Sequence, residues 1–560
     1  MRRRKVVVLA VVAAALAVAA APALADLKLP SVIGSHMVLQ RGINLPIWGW
    51  AEPGEAVTVA IAGQSVATKA DAQGKWRVVL KPLKPGDPLE MTLTGKKPTP
   101  KPKPDELKLE EAPVHTVKLA NILVGDVWVC SGQSNMQMSV QGCNNAKRDI
   151  AAATFPKIRL FSVRLVTKPT PQADCQGSWK ECAPASVPGF SAVGYYFGRE
   201  IHKRLDVPIG LINTSWGGTP AESWTERSFL EAHDECLPIL ARWFRRVEAY
   251  PEAKKKYDET IANWAEIVKK AKMDRKPAPR RPRDPNPFNS SHYPSGLYNA
   301  MIAPLVPFGI KGAIWYQGES NAGRAYQYRV LFPAMIQSWR KVWAQGDFPF
   351  FWVQLANFLQ VDDQPKGDPW PELREAQAMT LSLPNTGRAV IIDIGEARDI
   401  HPKNKQDVGR RLALSALKVA YGQDLVHSGP VYDTMTVEGA KARIKFKSIG
   451  GGLVAPPFKD PVTPDGPTLQ KCYGVADPAK LRPKSEVLGF AIAGEDKKFV
   501  WAQATIEGDC VVVSSDKVAK PVAVRYGWSN NPICNLTNKE GLPASPFRTD
   551  DWPGVTLKNR

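Results

Sequence analysis

The stretch Gly125-Asp-Val-Trp-Val-Cys-Ser-Gly-Gln-Ser134-Asn-Met-Gln-Met138 sets an apolar, β-branched run against a small-residue turn that carries a serine. A strand ending in a glycine-bearing turn holds a hydroxyl at the rim of a sheet, within reach of a base and of groups that bind an electrophile. Ser134 is therefore the candidate nucleophile.

The same rhythm repeats outward from this point. Strands are predicted at 125–130, 208–213, 312–316, 349–355 and 389–394, and helices at 194–205, 329–345, 372–383 and 405–421. In the last helix Val408, Leu412, Ala416 and Val419 recur at four and three residues, and Gly422 fits its stop. Alternating strand and helix implies an α/β fold with a parallel sheet covered by helices on both faces. Before this region, alternating apolar residues broken by Pro-Gly and Gly-Gln turns predict a small antiparallel β module. A charged helical stretch with a Pro/Arg-rich tail at 226–291 reads as an insertion, and β-rich text returns after Gly429. The expected organisation is a signal peptide at 1–25, a sandwich-like β module at 26–115, a hydrolase-type α/β domain at 116–428 and a β-rich module at 429–560.

Met-Arg-Arg-Arg-Lys, an alanine-rich apolar run and Ala23-Leu24-Ala25 form the three-part pattern of a cleaved secretory signal. A secreted or periplasmic product with no later membrane span is expected. The net charge of +20 falls to +16 once Arg2, Arg3, Arg4 and Lys5 leave. Much of the remainder lies in non-periodic Lys/Arg/Pro runs at 96–104 and 269–283, which read as solvated surface and do not suggest nucleic acid as a partner. Eight cysteines without a Cys-x-x-Cys pair and seven histidines without a His-x-x-x-His give no support for a metal, and no cofactor is expected. An oxidising compartment permits disulfides, but spacing fixes neither their connectivity nor the oligomeric state.

Four polar motifs follow four of the predicted strands: Ser131-Gly-Gln-Ser134-Asn135, Thr214-Ser-Trp-Gly217-Gly218-Thr219, Gln317-Gly-Glu-Ser-Asn321 and Glu396-Ala-Arg-Asp399-Ile-His401-Pro402. Loops at the carboxyl ends of parallel strands converge on one crevice however distant in sequence. Ester hydrolysis through a serine needs a base, an orienter for the base and donors for the oxyanion. His401 supplies the base and Asp399 is the nearest carboxylate. Gly217 or Gly218 offers a backbone N–H, the turn at Gln133 and Ser134 another, and Gln317 or Asn321 a side-chain amide.

These blocks resemble the sialate O-acetylesterase family of SGNH-type hydrolases. Gly132-Gln-Ser134-Asn-Met, Trp216-Gly-Gly-Thr-Pro, Trp315-Tyr-Gln-Gly-Glu-Ser-Asn321 and Asp399-Ile-His-Pro-Lys-Asn-Lys405 stand in the family's order. Met37-Val-Leu-Gln40 and Phe547-Arg-Thr-Asp-Asp-Trp-Pro extend the likeness over most of the mature chain. The resemblance implies a flavodoxin-like SGNH sheet and a metal-independent serine esterase that removes O-acetyl groups from carbohydrate. The pattern departs in two places. Arg398 stands three residues before His401, where many SGNH enzymes have aspartate, so Asp399, Asp393 and Glu396 all remain candidates to orient the histidine. The third block reads Gln-Gly-Glu-Ser-Asn, which leaves Gln317 and Asn321 as alternatives at the oxyanion.

Gly63-Gln-Ser65 repeats the tripeptide between two strand-like flanks and reads as a hairpin turn. Ser320, in Gly318-Glu-Ser-Asn-Ala, is the rival nucleophile. Trp216, Trp224, Trp315 and Tyr316 are either a sugar platform or core aromatics. The expected substrate is O-acetylated sialic acid, with acetylxylan or another acetylated polysaccharide as the alternative and Arg324 or Arg398 as the residues to grip a carboxylate. A glycan-binding protein on a decayed esterase fold and a lipid esterase are the readings of other classes.

Overall fold

The computed structural model describes residues 27–97, 114–362, 364–456 and 487–560. The expected signal peptide, most of the Pro/Lys run after residue 97 and Cys472 lie outside these residues.

The stretch that opened the reading is the end of a strand of 19 residues, Val114–Gly132. From Ile122 to Gly132 it is wholly buried, as expected of a strand covered on both faces. It is the centre of a sheet ordered Thr386–Ala389, Phe350–Val353, Gly312–Tyr316, Val114–Gly132, Ile209–Asn213, Phe155–Ser162 and Trp179–Cys182. All these neighbours pair in parallel except the last two, which are antiparallel. From the central strand the chain first crosses to the outer strands Phe155–Ser162 and Trp179–Cys182, returns to place Ile209–Asn213 beside the centre, and then builds outward on the other side, so strand order reverses there. A crevice opens outside the carboxyl end at such a switch point, and Ser134 stands at it.

Side-chain alternation distributes the large aromatics between the faces. Trp128 is level with Gly312 in the ladder and Trp315 lies three residues further, so the two indoles project to opposite faces. Trp128 meets Phe197 of the Ala192–Leu205 helix at 5.1 Å between ring centroids. That helix packs on Lys405–Val419, where Gly409 lies so close to Tyr196 and Phe197 that a Cβ would come within 2.8 Å of their backbone. On the other face Trp315 packs against Trp339 at 6.1 Å and Phe332 at 6.4 Å, both from the Ala325–Trp343 helix.

The first module contains the strands Val38–Gln40, Leu45–Trp50, Ala56–Ile61, Gln64–Lys69, Lys75–Leu80 and Leu89–Lys96. Gln64 and Ser65 begin the second arm of a tight hairpin in which Ala62 and Gly63 both have positive φ, 49° and 75°, as a two-residue loop of the primed kind requires. This module is continuous with the central mixed sheet. The amino half of Val114–Gly132 pairs with Leu89–Lys96, and Val38–Gln40 adds in parallel to Leu123–Gly125. One apolar core runs from Leu27 to Leu417. The expected boundary near residue 115 thus falls inside a strand, which local sequence cannot reveal because both halves are good strand formers. The expected strand at 389–394 also differs: the strand is Thr386–Ala389, and Val390 to Ile392 enter the interior as irregular chain.

The insertion forms the helices Arg227–Glu231, Leu237–Glu248, Tyr250–Ala262 and Trp264–Met273. The last module has its own core around Ile444, Phe490, Val511 and Tyr526 between two antiparallel sheets. Among the described residues no helix is long and apolar enough to cross a membrane. Cys130, Cys143, Cys175, Cys182 and Cys236 are buried thiols, and burial pushes the last four up to about 12.

Gly132 has φ of +136°, and a Cβ there would meet the carbonyl oxygen of Tyr316 at 2.2 Å. Gly132→Ala should therefore destabilise the protein by about 3 kcal/mol or more in urea unfolding, since it combines backbone strain with a clash against fixed backbone. Gly63→Ala, with open space around it, should cost only about 1 kcal/mol.

Candidate functional site

The turn after the central strand delivers Ser134 to the first position of a short helix, Ser134–Gln137. Its hydroxyl is 2.8 Å from Nε2 of His401, which arrives on the loop before the Lys405–Val419 helix. The ring's other nitrogen, Nδ1, is 3.5 Å from Asp399 Oδ1, and the same oxygen accepts the backbone N–H of His401 at 2.9 Å. Asp399 therefore holds the loop at least as firmly as it holds the ring. The two other carboxylates proposed for this role are engaged. Asp393 forms a bidentate pair with Arg411 at 2.6 and 2.7 Å, and Glu396 accepts the backbone N–H of Lys403 at 3.1 Å. Ser320 donates its backbone N–H to Gln133 Oε1 at 3.2 Å. The histidine of the fourth motif faces Ser134.

Beneath Ser134 lies a buried polar network that the sequence did not single out. Asn135 Nδ2 donates to Glu319 Oε1 at 2.6 Å and to the Ile400 carbonyl at 2.9 Å, while its Oδ1 accepts from Lys405 Nζ at 2.5 Å. Lys405 is fully buried, with Nζ 5.1 Å from the centre of the Tyr316 ring. Burial pushes its ammonium down to about 8, opposed by the nearby Cys143, Glu319, Asp399 and Glu396. Burial also raises the carboxyl of Glu319, against the pull of Asn135 and Lys405. The signal for it in the sequence is the block Asp399-Ile-His-Pro-Lys-Asn-Lys405, in which the lysine ends the motif.

Gly217 packs against Ser134: a Cβ there would lie 3.3 Å from Ser134 Cβ. Its N–H is donated to Gln137 Oε1 at 2.7 Å, while the exposed Gly218, at φ of +74°, has no acceptor for its N–H among the described residues. Gln317 and Asn321 are buried and face inward. Gln317 donates to Asn321 Oδ1 at 2.6 Å and to the Thr219 carbonyl at 3.3 Å, and Asn321 donates to Glu222 Oε2 at 2.9 Å. Both amides bind the second motif to the third. Trp224, Trp315 and Tyr316 are fully buried core aromatics, and Trp216 alone of the four is partly exposed.

Beside the Ser320 loop opens a cleft of about 650 Å³ faced by Arg242, Arg245 and Arg246 of the insertion together with Arg324 and His292. Its acidic side chain, Glu222, is already paired with Arg324 at 2.7 Å and with Asn321. Arg242 donates to the Arg560 carbonyl at 2.5 Å, and burial followed by the neighbouring Arg324, Arg245 and Arg246 lowers its pKa. Arg398 is exposed and takes no part in lining this cleft. Among the described residues no group of three or more His, Cys, Asp or Glu is placed to hold a metal ion.

The family profile for a carbohydrate esterase, sialic acid-specific acetylesterase domain matches residues 288–418. Sialate O-acetylesterase of Rattus norvegicus is 35% identical over 440 residues, covering 72% of this chain and 76% of that protein. Sialate O-acetylesterase of Homo sapiens is 29% identical over 583 residues, 94% of each chain. The crystal structure of a carbohydrate acetylesterase from Xanthomonas citri superposes with a TM-score of 0.72 at 38% identity, over 94% of this chain and all of that one.

Lys405→Met should lower the thermal midpoint and reduce turnover at least about tenfold, because Asn135 and Glu319 lose their buried cation. The folded chain releases the Lys405 proton near pH 8 and the unfolded chain near 10.5, so the unfolded state binds more protons between these values. The lysine's contribution to stability must then rise with pH across that window. Urea unfolding of both proteins at pH 8 and pH 10 should show the difference moving in favour of the native residue.

Proposed function

Because the chain belongs to the sialate O-acetylesterase family and is a carbohydrate ester hydrolase, we propose that it works through an acetyl-enzyme on Ser134. The observation that carries this reading is the 2.8 Å contact between Ser134 Oγ and His401 Nε2 at the convergence of the strand ends. His401 takes the hydroxyl proton as Ser134 attacks the acetyl carbonyl, and returns it to the sugar oxygen as the C–O bond to the acetyl group breaks. Water, deprotonated by the same imidazole, then releases acetate and restores the serine. Asp399 favours the tautomer with hydrogen on Nδ1. With Gln317 and Asn321 engaged in joining loops, the backbone N–H groups of Ser134 and Gly218 are the proposed oxyanion donors. The amino-terminal sequence supports secretion through a cleaved signal, with an O-acetylated carbohydrate met outside the cytoplasm.

The arginine cleft favours an anionic sugar over a neutral one. It adjoins the catalytic rim through Ser320 and Pro220, and its own carboxylate is already spent on Arg324 and Asn321. An O-acetylated sialic acid whose carboxylate meets Arg245 and Arg246 fits this chemistry; acetylxylan offers these groups no charge. Charge-assisted bonds of this kind contribute roughly 1.5–3 kcal/mol each.

Acetate release from O-acetylated glycans and para-nitrophenyl acetate tests the reaction. Ser134→Ala should reduce turnover by about a thousandfold or more, Ser320→Ala should leave it within a few-fold, and a chelator should have no effect. Full activity of Ser134→Ala would overturn the mechanism, and glycan binding without turnover by the native protein would favour a decayed esterase. Asp399→Asn should cost less than loss of His401, given its 3.5 Å approach to the ring.

The combined change Arg245→Ala and Arg246→Ala should raise KM for O-acetylated sialic acid about tenfold while leaving para-nitrophenyl acetate hydrolysis unchanged. Equal use of acetylated xylan and sialate by the native protein would move the substrate to the neutral alternative.

A further inference from the structure

The last β module carries a second cleft, of about 620 Å³, away from the serine. One wall comes from this module: Phe499 and Trp501 at the edge strand Val500–Trp501, Trp528 after the Ala523–Tyr526 strand, and Trp552 near the chain end. The facing wall is Pro365-Lys366-Gly367, from the hydrolase loop that leaves the carboxyl end of the Phe350–Val353 strand. That is the rim from which Ser134, Gly217 and Gln317 also rise.

The aromatics fall into two groups. Trp528 is 7% exposed and lies between the guanidinium groups of Arg525 and Arg548, each 5.4 Å from its ring, so it belongs to the wall's packing. Phe499, Trp501 and Trp552 keep part of their surface exposed, although the Arg525 guanidinium lies 4.1 Å from the Phe499 ring, Lys497 Nζ lies 5.3 Å from the Trp552 ring, and Phe499 and Trp552 are 5.5 Å apart between centroids. The charges divide similarly. Arg525 is neutralised by Asp550 at 2.7 Å and Lys366 by Asp362 at 2.6 Å. Lys497 and Lys498 are exposed and have no carboxylate within ion-pair distance among the described residues. No aspartate or glutamate lines the cleft, although Glu495 and Asp496 precede the two lysines on the same turn.

From this arrangement we infer that the cleft is an accessory binding site for a carboxylated glycan, distinct from the site of acetyl transfer. The partly exposed edges of Phe499, Trp501 and Trp552 suit the apolar C–H groups of pyranose rings, and the volume lies within the range of small-molecule sites. Ammonium groups at the mouth that have no carboxylate partner among the described residues, Lys497 against the Trp552 ring and Lys498, select a chain bearing carboxylates over a neutral one. Its position on the catalytic rim lets a polymer held here run along the face where its acetyl groups are removed. Uronate and sialate chains share this chemistry, and binding measurements separate them.

Affinity electrophoresis of the full chain through gels containing polygalacturonate, polysialic acid or neutral arabinoxylan tests the site directly. Retardation by one or both acidic polymers, and not by arabinoxylan, is expected, and the stronger names the source. Trp501→Ala and the combined Lys497→Glu, Lys498→Glu change should each weaken that retardation about tenfold. The charge-matched change Lys269→Glu, Lys270→Glu in the insertion should alter it less than about twofold. Thermal midpoints establish that the variants are folded. Absence of retardation, equal retardation by arabinoxylan, or an equal effect of the two lysine pairs would overturn the inference. Because binding is read without turnover, failure here is separable from failure of the esterase mechanism, which Ser134→Ala reports.

Discussion

The side-chain amide of Asn135 ties together chain segments 184 and 265 residues away, through Glu319 and the carbonyl of Ile400, and is itself held by Lys405. A serine and a histidine brought from opposite ends of a domain react only if their loops keep one spacing, and loops alone are the most mobile parts of a fold. Here Asn135, beside Ser134, donates directly to the carbonyl of Ile400, the residue before His401. The serine–histidine distance is thereby set by a buried network instead of by the two loops independently. Such networks must be satisfied throughout, since in a low-dielectric interior an unpaired member costs more than the pair returns.

The sheet performs the coarser alignment. Strand order reverses at Val114–Gly132, so the loops after Gly132, Asn213 and Tyr316 rise side by side, and the absence of a side chain at Gly132 lets the Tyr316 backbone approach where a methyl group would collide. Gln317 and Asn321 add a second layer of cross-links between loops, using the amides that their position in the motifs had suggested for the oxyanion. Position in a motif is therefore compatible with a supporting task as well as a chemical one.

Much of this was legible in the sequence because the signals were local and periodic. The strand at 312–316 and the helix beginning at Lys405 lie where their patterns place them, and the serine motif follows its strand directly, whereas irregular chain separates the histidine motif from the Thr386–Ala389 strand. What was not legible depended on partners distant in the chain. Nothing local distinguishes Asn135 from any other loop asparagine, and Lys405 reads as an exposed first-turn lysine until its burial is seen. Trp224 and Trp315 sit beside the motifs in sequence, but Trp224 packs on Trp315 and Trp315 on Trp339, contacts that only the tertiary fold creates. The insertion reads only as a charged helical stretch with a Pro/Arg-rich tail, yet its Leu237–Glu248 helix turns arginines into the cleft beside the Ser320 loop.

The strand that passes from the first module into the hydrolase sheet has a consequence for cooperativity. Hydrogen bonds along Val114–Gly132 and a core continuous from Leu27 to Leu417 leave no plane along which the first module can melt while the hydrolase stays folded. The last module, with its separate core, has such a plane. A calorimetric scan of this protein would resolve into two units, and the division between them would follow the packing of side chains, joining into one unit what the sequence presents as two domains.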